Sequence, residues 1–226
     1  MAQSLYFQKF SAVEIDSSFY NLPKPETAAR WRNAAPSGFQ FAMKAWQVIT
    51  HDASSPTYKR TRLDPRDRPH CGGFGFNPTI RWAWDETFRI AKTLDAFLVL
   101  FQCPPSFRPT KDNIKNLRAF FERAKRGKLS MGWEPRGNWE NGLVASLCDE
   151  LDLVHVVDPF KNLPLHRSRI RYFRLHGISG TSHRFTNAEL QQLRQTCDAS
   201  RTPVYCFFNN IAMSDDATRF QRLITN

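Results

Sequence analysis

Leu98-Val-Leu-Phe-Gln102 is four apolar residues followed by an amide, and the same form recurs along the chain. Met131-Gly-Trp-Glu134-Pro-Arg136, Val154-His-Val-Val-Asp158, Tyr172-Phe-Arg-Leu-His176 and Val204-Tyr-Cys-Phe-Phe-Asn209-Asn210 all pass from apolar to polar in the same direction. A short, nearly continuous apolar run suits a parallel strand covered on both faces. Polar residues collected at the C-terminal ends of such strands are where β/α barrels build their sites. The runs therefore predict an α/β fold, a TIM-type β/α barrel with its chemistry at one rim.

Working outward, helical patterns alternate with the strands, as a parallel sheet requires. Helices are expected at Pro25 to Ala34, Trp84 to Leu94, Lys111 to Arg126 after the cap Thr110, Gly142 to Glu150, Asn187 to Ala199 and Asp215 to Leu223. Thr186 with Glu189 forms a capping box. Strands are expected at Ala12 to Ser17, Phe39 to Lys44, Ala96 to Gln102, Leu129 to Glu134, Leu153 to Asp158, Arg171 to His176 and Val204 to Phe208. That makes seven, so the barrel lacks the usual first strand, or the start is internal to the gene product. Between Asp158 and Tyr172, Pro159 and Pro164 leave no room for a full helix, and one side should be thinly clad.

With 226 residues the chain suits one barrel-sized domain, taken as residues 1–226. Thirty-two Lys and Arg against 21 Asp and Glu give a net charge of +11, which favours anionic partners. The five cysteines are scattered and show no metal-ligand spacing, so they read as reduced core residues. No apolar stretch is long enough for a membrane span and the N-terminus lacks a secretory signal. A cytoplasmic location without membrane contact is the expectation, while the oligomeric state is not legible. Residues 52–78 carry Lys59, Arg60, Arg62, Arg66 and Arg68 without periodicity, and follow a strand end. They read as a long basic loop placed like a lid.

Period-two alternation puts Glu134 with Arg136 on one face, and Tyr172, Arg174 and His176 on another. Lys44, Gln102, Asp158 and Asn209 with Asn210 end their strands, and His51 opens the loop. Glu134 and Asp158 offer carboxylates, and His176 offers an acid or base near neutrality. Lys44, Arg136 and Arg174 suit an anion, with arginine giving bidentate geometry. Each also has a structural reading: Glu134 and Arg136 can pair, His176 can bond to backbone, and the asparagines can cap a turn. No phosphate loop, nucleophile elbow or His-Glu-x-x-His pair is present.

Val13-Glu-Ile-Asp-Ser-Ser-Phe-Tyr20, Phe39-Gln-Phe-Ala-Met-Lys44, Ile49-Thr-His51, Gln102-Cys-Pro-Pro-Ser-Phe107, Trp133-Glu-Pro-Arg136, Val157-Asp158-Pro159, Phe173-Arg-Leu-His-Gly177 and Phe207-Phe-Asn-Asn210 occur in this order. In combination they resemble the YecE-like family, domain of unknown function 72 (DUF72). The resemblance implies a β/α barrel with a polar pocket at the strand ends, and brings no established reaction. Members usually begin with a strand carrying Gly-Thr-Ser-Gly-Trp or similar, which this chain lacks.

The leading functional expectation is an enzyme, of hydrolase or lyase type, acting on a small or terminal phosphate or carboxylate. Lys44, Arg136 and Arg174 would bind the anion, aided by His51, Gln102, Asn209 and Asn210, with Glu134, His176 and Asp158 as acid/base groups. A second reading is a metal-dependent phosphodiesterase, with a divalent ion among His51, Glu134, Asp158 and His176 and the basic loop over a nucleic-acid backbone. A third is a noncatalytic module for a nucleotide or RNA end. No cofactor is firmly implied.

Overall fold

Strand Ala96–Gln102 lies at the centre of the first part of the chain, its Leu98 to Phe101 side chains removed from solvent. The computed structural model describes residues 3–225. It divides into two compact units, one running through Leu153 and one from Val154 onward.

The first unit contains α1 (Gln3–Lys9), β1 (Ala12–Ile15), α2 (Pro25–Ala34), β2 (Gln40–Lys44), α3 (Pro78–Leu94), β3 (Ala96–Gln102), α4 (Lys111–Arg123), β4 (Ser130–Glu134) and α5 (Asn141–Glu150). Its strands pair in parallel in chain order, with Met43 level with Val99 and Gln102 level with Glu134. Asn77 caps α3 by accepting from the Ile80 amide (3.0 Å), and Pro78 occupies the first helical position, where its missing N–H costs nothing. Thr110 caps α4 by accepting from the Asn113 amide. That helix stops at Arg123, short of the expected Arg126. The Arg126 guanidinium binds the Phe121 (3.1 Å) and Leu151 (2.6 Å) carbonyls and so ties down the chain beyond the helix end.

β1 also ends early, at Ile15, because Ser18 is fully buried and its hydroxyl contacts both the Ile15 (2.6 Å) and Lys44 (2.8 Å) carbonyls. Those contacts draw residues Asp16–Phe19 into a 3₁₀ turn.

The long segment after β2 has more structure than its lack of periodicity predicts. It holds 3₁₀ turns at Pro56–Arg60 and Arg68–His70 and is laced back to the chain that precedes it. The Gly72 amide donates to the Val48 carbonyl (2.8 Å), the Phe74 amide to Ile49 (3.0 Å), and the Tyr58 hydroxyl to His51 (2.8 Å). Gln47, itself buried, bonds through its side chain to Thr57 and Thr61. Phe74 is fully buried among Phe101, Phe107, Phe120 and Phe121, with ring centroids 5.3–6.0 Å apart. The basic residues of the segment all face solvent.

The second unit carries β5 (Leu153–Val157), which begins at the boundary, β6 (Arg171–Leu175), α6 (Asn187–Asp198), β7 (Val204–Phe208) and α7 (Met213–Thr225). β5, β6 and β7 are parallel neighbours, with Val157 level with Phe173 and Phe173 with Cys206. Phe173, Leu175, Phe185, Leu190, Leu193, Phe208 and Phe220 form its core. Thr186 and Glu189 make the expected capping box at the start of α6. No helix lies between β5 and β6. Among the described residues there are seven strands, and no helix is long and apolar enough to cross a membrane.

Candidate functional site

In the first unit the C-terminal ends of β2, β3 and β4 present Lys44, Gln102 and Glu134. Lys44 Nζ lies 3.1 Å from Asp16 Oδ1 and 5.0 Å from the centre of the Phe19 ring. Its side chain is nearly covered whereas that of Asp16 is half-exposed, so the cation has been drawn further out of water than its partner. Glu134 is buried, and its Oε1 receives both Nε (2.8 Å) and Nη2 (2.7 Å) of Arg136.

His51 is buried as well. Its Nδ1 lies 2.8 Å from the Thr50 hydroxyl, and its ring meets Phe19 edge-on at 4.8 Å. Burial lowers its pKa to about 4, assisted by the positive charges of Lys44 and then Arg136 and opposed by Asp52. The imidazole is therefore neutral at pH 7 and serves as a hydrogen-bonding group, not a cation. The Thr50 hydroxyl engages Nδ1, so Nε2 is the ring's second hydrogen-bonding atom.

Lys44, His51, Gln102 and Arg136 all line one cleft of about 540 Å³, a volume suited to a small molecule. One wall is residues 52–57 of the laced segment, which contribute the hydroxyls of Ser54, Ser55 and Thr57. The other is Cys103 to Ser106, from the Gln102-Cys-Pro-Pro-Ser-Phe107 stretch. Gly137 supports that wall at φ +94°, where a Cβ would lie 2.8 Å from the Pro105 carbonyl oxygen. Cys103 is no nucleophile. It is fully buried, accepts from the Trp133 indole N–H (3.3 Å), and burial pushes its thiol up to about 12. Trp133 is likewise core and not a ligand platform.

The remaining expected site residues belong to the second unit. Asp158 accepts the Phe160 amide at Oδ1 and the His176 amide at Oδ2, both at 3.1 Å. Arg174 is buried at the end of β6, with Nη1 3.5 Å from His176 Nε2 and Nη2 donating to Asn209 Oδ1 (3.4 Å). Asn210 is buried, and its amide donates to the His183 carbonyl (2.7 Å) and to Asp216 Oδ2 (2.6 Å), fixing the start of α7. Among the described residues no group of three or more His, Cys, Asp or Glu side chains is placed to hold a metal ion.

Sequence reasoning picked out the strand-end groups of the cleft but not its walls. Ser54, Ser55 and Thr57 sit in an aperiodic segment that reads only as a lid-like loop, and Cys103 to Ser106 are marked by the family-like Gln102-Cys-Pro-Pro-Ser-Phe107 stretch without any site role.

Comparison with known proteins gives the same architecture. The profile of the family described as "Protein of unknown function DUF72" matches residues 4–226. The UPF0759 protein YecE of Escherichia coli K12 is 39% identical over 49 residues. That stretch is 22% of this chain and spans only 18% of the curated relative's length. A DUF72 family protein of Enterococcus faecalis V583 superposes with a TM-score of 0.74 at 19% identity, covering 100% of this chain and 89% of that one. One from Thermotoga maritima MSB8 gives 0.72 at 17% identity, covering 100% and 91%. A xylose isomerase domain containing protein of Salmonella typhimurium LT2 gives 0.58 at 10% identity, covering 100% and 91%. At these identities the likeness concerns the fold, which is a TIM-type β/α barrel with seven parallel strands among the described residues.

Proposed function

The chain belongs to the DUF72 family, and from the cleft of its first unit we propose that the protein binds a small molecule through a terminal phosphate or carboxylate and acts on it by acid/base chemistry. The observation that carries this reading is the pairing of two cations, Lys44 and Arg136, with a neutral buried His51 in one cleft. Two positive charges favour an anion, and a neutral imidazole in the same cleft supplies a directional hydrogen bond without adding a third charge.

In this reading Lys44 and Arg136 hold the anionic group, and the Gln102 amide and the Ser54 and Ser55 hydroxyls orient the remainder of the molecule. His51 polarises the reacting oxygen through Nε2, as a neutral imidazole can where burial depresses its pKa. Glu134 exchanges the proton. Its carboxylate is held by Arg136, so a substrate anion that recruits the guanidinium loosens that hold as it binds.

The test is calorimetric titration with inorganic phosphate, followed by a screen of small phosphomonoesters and carboxylate esters for turnover. Phosphate should bind, weaken as salt rises, and bind at least tenfold more weakly to Arg136→Met. Equal binding by wild type and Arg136→Met would sink the proposal. Binding with no turnover of any screened ester by wild type would reduce the protein to a noncatalytic anion receptor.

A further inference from the structure

The turn after β6 and the start of α6 bring together three side chains that no strand-end pattern singles out. The Ser179 hydroxyl oxygen lies 3.1 Å from His183 Nδ1, and His183 Nε2 lies 3.1 Å from Glu189 Oε2. From this geometry we propose that Ser179, His183 and Glu189 form a second reactive centre, a serine nucleophile with its base and orienting acid, which accepts the acyl group of small apolar esters.

The arrangement is built, not incidental to a mobile loop. Glu189 is fixed by the capping box, since its Oε2 also accepts the Thr186 amide (2.6 Å). The His183 ring is wedged edge-on against buried Phe185, with centroids 5.0 Å apart. Its backbone is held on both sides: the amide donates to the Gly180 carbonyl (3.0 Å), and the carbonyl receives the buried Asn210 amide (2.7 Å). The turn bearing Ser179 is pressed onto the histidine at Gly177. That residue has φ +89°, and a Cβ there would fall 2.6 Å from His183 Cβ and 2.3 Å from the Gly180 oxygen. Only glycine allows this approach.

The roles follow from the contacts. With Nε2–H donating to Glu189, Nδ1 presents a lone pair to the Ser179 hydroxyl, which is the relation a general base needs with its nucleophile. Ser179 is exposed and His183 partly so, which leaves the nucleophile open to a substrate. Exposed apolar side chains lie on the neighbouring stretches of chain: Ile178 at 49%, next to Ser179, and Ile211 at 77% and Met213 at 49%, where α7 begins. The Ile211 amide donates to the Thr181 carbonyl (2.7 Å), so this apolar shelf is tied to the turn that carries Ser179. A shelf of this kind suits an apolar acyl chain and gives no charge to recognise an anion.

The step balances as ordinary acyl transfer. Ser179 Oγ forms a bond to the ester carbonyl carbon while its proton passes to His183 Nδ1. The carbon–oxygen bond to the alcohol breaks, and the alcohol leaves with that proton. Water, deprotonated by His183, then hydrolyses the acyl-serine to release the carboxylic acid and the free hydroxyl. Ser179 and His183 are the catalytic residues, and Glu189 is a positioning residue that acts through His183.

The full chain is tested with 4-nitrophenyl acetate. Wild type should release 4-nitrophenolate in a burst and carry an acetyl group on the peptide containing Ser179, identified by mass spectrometry. Ser179→Ala, a change in an exposed turn, should leave the circular dichroism spectrum and unfolding midpoint unchanged, abolish the burst and lower 4-nitrophenolate release by about a hundredfold or more. Glu189→Gln keeps a side chain able to cap α6 but should displace the pH profile of acylation. Absence of acetyl on the Ser179 peptide of wild type would overturn the proposal. So would an equal burst from Ser179→Ala, or an unmoved profile in Glu189→Gln, which would make the contact a structural latch of α6.

Discussion

Glu134 Oε1 receives both Nε and Nη2 of Arg136, at 2.8 and 2.7 Å, so one carboxylate oxygen holds two nitrogens along one edge of the guanidinium two residues further along the chain. The pair sits where β4 ends, with the acid buried and the arginine side chain about one-third exposed. A group held this way is both a scaffold element and a reserve of positive charge for the cleft.

Glu134→Gln keeps the shape and removes the negative charge. Arg136 is then offset less, and inorganic phosphate should bind several-fold more tightly by calorimetry. Because Arg136 still reaches water, the stability loss by urea unfolding should be about 1–2 kcal/mol, below that for a fully buried pair. Turnover of any substrate found should fall with the same change, which would separate binding from chemistry.

Lys44→Met retains an apolar stem against Phe19 and removes the ammonium. Phosphate affinity should drop roughly tenfold, about 1.4 kcal/mol. Stability should move by less than about 1 kcal/mol, since Asp16 can turn to solvent. A variant that loses stability without losing affinity would make Lys44 a scaffold residue.

His51 makes stability fall as the solution becomes acidic. Its pKa falls from 6.5 unfolded to about 4 folded, because burial and the cations of Lys44 and Arg136 disfavour the imidazolium. Well above pH 6.5 the ring is neutral in both states and contributes no slope. As pH falls from 6.5 to about 4, the unfolded chain takes up a proton that the folded chain refuses, and about 3 kcal/mol is lost. His155, accepting the Leu165 amide at Nδ1 (3.2 Å) and lowered to about 4 chiefly by burial, acts in the same direction. The His51 ring resonances should keep their neutral positions at pH 5.5 in NMR. A midpoint near 6.5 would refute the burial argument.

Gly72 and Gly38 form a controlled comparison. Both have positive φ, +88° and +81°, but a Cβ at Gly72 would lie 2.4 Å from the Asp52 amide nitrogen, whereas at Gly38 it meets nothing within 4 Å. Gly38→Ala should cost about 1 kcal/mol from backbone strain alone, and Gly72→Ala roughly 2–4 kcal/mol from strain plus a backbone clash. Thermal unfolding measures both. Gly72→Ala should also weaken phosphate binding, because it displaces Asp52 and the wall that follows.

The parts of the fold governed by local rules were legible in the sequence. α2, β3 and β7 have the expected bounds, and the Thr110 and Thr186–Glu189 caps form as their residue types require. The departures have non-local causes. β1 is cut short by a hydroxyl that reaches across to the Lys44 carbonyl, and α4 by a guanidinium bound to a carbonyl 25 residues away. The strand-end groups of the cleft could be read from apolar runs. The wall at residues 52–57 could not, because its position depends on hydrogen bonds from the 47–51 segment to residues 57–74. Ser179, His183 and Glu189 form no short motif, and only the close approach permitted at Gly177 brings the turn to the histidine.

The lacing of the long segment has a thermodynamic and kinetic consequence. Gly72, Phe74, Tyr58 and Gln47 pin both ends of the stretch that bears Ser54, Ser55 and Thr57, so this wall is ordered before any ligand arrives. A preorganised wall removes the entropy loss that a folding lid would impose on association. Ligand capture should then show a single kinetic phase whose rate rises linearly with concentration, without the saturating step of a closing flap.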